Sequence, residues 1–124
     1  LNHHEFEAVI KQPAAIRYEY FIKKAADYEE IWGLYNDGWA TAEDDMGNVL
    51  IPFYPNEKFA ETFAKNEWEG FKAKKIEMDD FLEKWLPGMK SDGIKSSIFP
   101  TDTDSAVMNV DILLKDLKAE LENY

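Results

Sequence analysis

At 124 residues the chain is the length of one domain, enough to remove roughly two-thirds of its unfolded surface from water. Twenty-five Asp and Glu against fourteen Lys and Arg give a formal net charge of −11, a field that opposes binding to nucleic acid or an anionic membrane. The lack of cysteine excludes a disulfide framework, a thiolate zinc site and a thiol nucleophile.

The remaining composition is that of a globular protein, with 45% hydrophobic and 15% aromatic residues, so a core is available and wholesale disorder is not expected. No apolar run approaches the roughly 20 residues that span a bilayer. The opening segment LNHHEFEAVIKQP lacks the basic and apolar regions of a signal peptide, and a cytoplasmic protein is the expectation.

Asn2 with Glu5 three residues later has the form of a capping box and predicts a first helix with Phe6, Val9 and Ile10 on one face. Pro13 interrupts it and suits the first turn of a second helix. In that helix Ile16 and Tyr20 lie one turn apart with Phe21 close by, and Tyr18, Ile22 and Ala25 form a neighbouring stripe, so it is expected to pack on a sheet. Glu30 to Tyr35 reads as a strand. Asn36-Asp37-Gly38 then supplies hairpin-turn residues, and Trp39 to Glu43 is expected as the returning strand. After a turn over Asp44 to Asn48 comes a more buried strand, Val49 to Tyr54, in which Pro52 requires an edge or a bulge on one side.

Asn56 caps a helix bearing Phe59, Ala60, Phe63 and Ala64. Phe71 to Ile76 reads as a short strand whose Lys72, Lys74 and Lys75 suit a solvated edge better than a nucleic-acid strip. Met78, Phe81, Leu82, Trp85, Leu86 and Met89 have helical spacing, with a break or kink expected at Pro87-Gly88 and a stop at Gly93. Ser96 to Phe99 and Ser105 to Met108 form a second hairpin around PTDTD, and Asn109 caps a last helix with Leu113, Leu117 and Leu121. The order predicts an α+β fold: a small single domain over 1–124 with a mainly antiparallel, twisted sheet, N-terminal helices within 2–27, and a mixed body over 30–124 holding two internal helices and a C-terminal helix.

Three blocks, RYEYFIKKAADYEEIWGLYNDGW, EDDMGNVLIPFYPNEKFAE and MDDFLEKWLPGMKSDGI, resemble in order and spacing the bacterial family known as domain of unknown function 2750. The resemblance runs from about Arg17 to Leu117. It implies a stand-alone cytoplasmic protein and carries over no catalytic or ligand-binding residue. Relatives commonly have Ser or Thr before the FLEKWLPG helix where Glu77 stands here.

The chemistry-bearing residues are few. With Gly47 in the sixth position of a calcium loop, Ala42 would stand at the first, so the Glu43-Asp44-Asp45 run fails the register and reads as a solvated turn. His3 and His4 are adjacent, about 100° apart on a helix, the wrong geometry for two metal ligands. The serines lack a nucleophile elbow, and the six glycines form no phosphate-cradling loop. No catalytic residue, metal or cofactor is therefore assigned. Arg17, the only arginine, is either a structural salt bridge or an anchor for an anionic ligand. Trp32, Trp39, Trp68 and Trp85 are either core residues or the lining of a pocket, with Trp32, Trp39 and Trp85 the candidates beside Arg17 for ligand binding.

Two functions fit these observations. The first is a non-catalytic acidic interaction module, immunity- or inhibitor-like, that binds a basic protein as a monomer or homodimer. The second is a small-molecule sensor or an enzyme without a recognisable motif, built on an aromatic pocket. The acidic balance and the missing catalytic signature favour the first, with the second as the alternative.

Overall fold

A computed structural model describes residues 1–124. The side chain of Asn2 accepts the Glu5 amide at 2.8 Å and opens α1, His3–Ile10, which buries Phe6. Pro13 stands immediately before α2, Ala14–Tyr28, where its missing N–H costs nothing. The buried stripe of α2 is Arg17, Phe21, Ile22, Ala25 and Ala26. Ile16, expected on the inner face, is 45% exposed, so the helix is turned by about one position from that reading. An arginine takes the inward place because backbone carbonyls of other segments meet it there.

β1, Glu30–Tyr35, forms as expected, but its partner is not the segment that follows. The Asn36–Gly38 turn closes with Asp37 at φ 54° and a single bridge from Tyr35 to Trp39, and Ala40 donates to Leu34 O at 2.8 Å before the chain departs. Only Ala42–Glu43 is a strand, β2, and it pairs with β3, Val49–Phe53. The full-length partner of β1 is β4, Lys72–Glu77, antiparallel with Glu30 opposite Glu77 and Tyr35 opposite Lys72. A strand over Trp39 to Glu43 is thus corrected to one bridge and two residues. The Trp39 indole explains the departure. It covers Gly33 so closely that a Cβ there would lie 2.8 Å from its ring, and it meets Trp85 edge-on at 4.7 Å.

The second sheet has the order β2-β3-β5-β6, with β5 at Lys95–Ile98 and β6 at Ala106–Met108. β5 and β6 form the expected antiparallel hairpin, while β3 and β5 run parallel with Leu50 opposite Lys95 and Phe53 opposite Ile98. The two sheets are joined where Trp32 and Tyr54 exchange backbone bonds of 2.9 and 2.7 Å. Pro52 fits this topology. On its side of β3, Leu50 pairs with β2 and Tyr54 with Trp32, and position 52 between them has no partner that would need an amide hydrogen.

Asn56 caps α3, Glu57–Thr62, accepting the Lys58 amide at 2.8 Å, and a 3₁₀ turn follows at Asn66–Trp68. From Met78 the chain is helical to Asp92 as α4, Met78–Asp80, a π-helical turn, Phe81–Trp85, and α5, Leu86–Asp92. Pro87 therefore does not end the helix: the wide turn before it, in which the Leu86 amide reaches back to Phe81 O, absorbs the ring. Gly93 closes α5 in the left-handed region at φ 71°, and Asn109 caps α6, Val110–Leu121, through the Ile112 amide at 3.0 Å.

A contiguous apolar cluster runs from Phe6 through Phe53, Phe59, Phe81 and Phe99 to Leu117. The chain is a small α+β domain with mainly antiparallel pairing, 48% helix and 23% strand. No helix is long and apolar enough to cross a membrane.

Candidate functional site

Arg17 is 1% exposed, and every nitrogen of its guanidinium is engaged. Nε donates to Phe99 O at 3.1 Å, Nη1 to Gln12 O at 2.7 Å, and Nη2 to Asp104 O at 2.7 Å and Oδ1 at 2.9 Å. The planar fork thus ties the start of α2 to both ends of the 99–104 loop. It holds that loop against strain, since Phe99 has φ 53° although it carries a side chain and precedes Pro100. Asp104 feels the contact: its hydrogen bond from Arg17 keeps its carboxyl below the usual range.

The tryptophans do not gather around Arg17. Trp39 lies on the Gly33 face of β1, against Tyr35 at 5.1 Å and Trp85 at 4.7 Å. Trp32, one residue from Gly33, points to the opposite face, where its indole N–H meets Glu30 at 3.2 Å. Trp85 packs on Phe53 and Phe81. None of these three indoles, nor Arg17 itself, lines any of the five principal clefts.

The fourth tryptophan does. Trp68 and Phe63 form one wall of a cleft of about 450 Å³, and residues 100–105 form the other. Leu50 and Ser97, on the adjacent parallel strands β3 and β5, and Tyr54, just beyond β3, supply its floor, and the loops that follow those strands shape its mouth. Each floor group is fixed. Tyr54 donates to Pro100 O at 2.9 Å, and burial pushes its phenol above the ordinary tyrosine range. Ser97 Oγ donates to Ser105 Oγ at 2.8 Å, a pairing with a hydroxyl rather than a base, which suits recognition and not nucleophilic attack. Trp68 Nε1 donates to Thr41 O at 3.2 Å. Lys65 Nζ lies 3.1 Å from Asp102 Oδ2 and 5.6 Å from the Phe63 ring centroid. Trp68 was visible in the sequence only as one of four tryptophans; the left-handed Asn66, φ 57°, which turns the chain just before it, has no strong sequence signature.

The other charged segments have local partners. Asp44 accepts the Met46 and Asn48 amides and the Asn48 side chain at 2.8–2.9 Å, which lowers its carboxyl below the usual range and makes the 44–48 segment a side-chain-closed turn. On β4, Lys74 sits 4.1 Å from the Tyr35 ring centroid, and Lys75 is 3.3 Å from Glu77 and 3.9 Å from Glu30.

An α+β domain with one strained, arginine-locked loop beside an aromatic cleft is what the fold and site define. Residues 18–121 match the family described as Protein of unknown function (DUF2750), and the chain belongs to that family. All residues that line the cleft fall within the matched segment. No curated protein matches the chain.

Proposed function

We propose that the chain is a non-catalytic interaction module of the bacterial cytoplasm that presents an acidic surface to a basic protein, in the manner of an immunity protein or inhibitor. One observation carries this reading, the sorting of charge by the fold. Arg17 is the only buried charged residue, whereas every carboxylate stays at the surface, exposed or half-buried. Seven of the 25 carboxylates have a cation in salt-bridge range, and the rest meet solvent without one. Such a surface steers a cationic partner from beyond contact distance and loses that steering as salt screens it. The test is capture from the host lysate on immobilised protein at about 50 mM salt, with elution at about 500 mM. Specific elution of a basic protein is expected; retention that ignores salt, or of acidic proteins only, would refute the reading.

A second reading, a small-molecule sensor, is favoured by the cleft itself, whose volume of about 450 Å³ lies within the range of ligand sites. Native mass spectrometry of protein taken gently from its host separates the two. A reproducible small-molecule adduct supports the sensor, and a bound basic chain supports the interaction module.

A further inference from the structure

We propose that the cleft between Trp68 and the 100–105 loop is the seat for one cationic side chain of the basic partner, and that Lys65 fills this seat in the free protein. The inference rests on the interaction reading and gives it an anchor point.

Lys65 displays the recognition chemistry within the molecule. Its ammonium is held by a carboxylate, Asp102, at 3.1 Å, and lies over the face of Phe63. Tyr54 stacks on the same ring at 6.0 Å with an interplanar angle of 5°, so the aromatic platform is two rings deep. Ring faces attract cations through their quadrupoles, and a neighbouring carboxylate adds charge and a hydrogen-bond acceptor. The grip on Lys65 is nevertheless loose, because its side chain is 46% exposed and that of Asp102 64%. An exposed pair of this kind contributes little, within reach of a competitor delivered by a docked protein.

Once Lys65 swings out, two carboxylates without another cation, Asp102 and Glu67, line the vacated site; Asp104 is already committed to Arg17. The far wall needs little reorganisation. Arg17 fixes the loop at both ends, so an incoming ammonium or guanidinium meets a wall already in place. On that wall, Ser105 Oγ accepts from Ser97 and keeps a second lone pair that can accept an N–H of the guest. Charge, aromatic surface and rigidity thus converge on a monovalent alkyl cation rather than on an anion.

The experiment is an NMR titration of the ¹⁵N-labelled full chain with Nα-acetyl-lysine methylamide, using its Nε-acetylated form as the neutral control. The Trp68 indole and the amides of Ser97 and Ser105 should shift and saturate with the charged probe and stay still with the neutral one. Lys65→Met, which removes the internal competitor, should tighten binding about threefold, and Asp102→Asn should abolish it. Both positions are solvent-facing, so neither change should disturb the fold. Cleft signals that do not move, that move equally with the acetylated probe, or that saturate identically in Lys65→Met would overturn the proposal. If a basic protein is still captured in a salt-sensitive way after such a result, the interaction reading stands and its anchor lies elsewhere.

Discussion

The Arg17 guanidinium donates to the backbone carbonyl of Phe99, 82 residues further along the chain, and this one bond joins the second helix to a strained turn at the end of β5. The same side chain also takes the carbonyls of Gln12 and Asp104. Shortening it would leave buried acceptors without donors. Arg17→Met should therefore cost about 3 kcal/mol or more in urea-denaturation stability, and Arg17→Lys nearly as much, because a single ammonium cannot span three carbonyls set around a planar fork. A loss below 1 kcal/mol for the methionine variant would show that the loop holds its shape unaided.

Gly33 leads to a second expectation. Its φ is ordinary, but a Cβ would sit 2.8 Å from the Trp39 ring. Gly33→Ala should push the indole off β1, weaken its contact with Trp85 and destabilise the fold by about 1–3 kcal/mol, with a change in tryptophan emission. An unchanged spectrum and midpoint would mean the ring can move freely.

Acid should act in part through Asp104. Its carboxyl is held below the usual range by the bond from Arg17, so its contribution is present above the unfolded value of about 4 and is lost as pH falls through the lowered folded value. Asp104→Asn should lose less stability than the parent between pH 4 and pH 2 in urea midpoints. Parallel curves for the two proteins would contradict this assignment.

Alkali should act through three phenols. Burial, helped by hydrogen bonds to Asp116 at 2.5 Å and Glu5 at 2.6 Å, raises Tyr18 and Tyr20, and burial raises Tyr54. All three favour their protonated form in the folded state, so stability is complete below about pH 10 and declines as pH rises above it. At pH 11, absorbance at 295 nm should report incomplete ionisation of the six tyrosines and increase further on adding urea. Full ionisation without denaturant would be the contrary result.

What the sequence disclosed was local. Asn2, Asn56 and Asn109 each cap the helix predicted from them, because a cap is a contact over two or three residues. Gly93 stops its helix and the PTDTD hairpin closes for the same reason. What stayed hidden depended on distant segments. β1 chose Lys72–Glu77 over the segment beyond its own turn, a pairing no local pattern encodes. Arg17 displaced Ile16 from the inner face only because carbonyls of residues 99 and 104 converge on it. Pro87 was accommodated by a π-helical turn whose wider register leaves no mark in hydrophobic spacing. The cleft combines residues from 42 to 105, and of its lining only Trp68 stood out beforehand.

The most direct test of an acidic surface docking a basic protein is calorimetric titration of the chain with the captured partner at about 50 and about 500 mM salt. A 1:1 complex is expected, with an affinity that falls about tenfold or more between the two conditions. An affinity unchanged by salt would place the binding energy elsewhere than in the charge, and would contradict the claim.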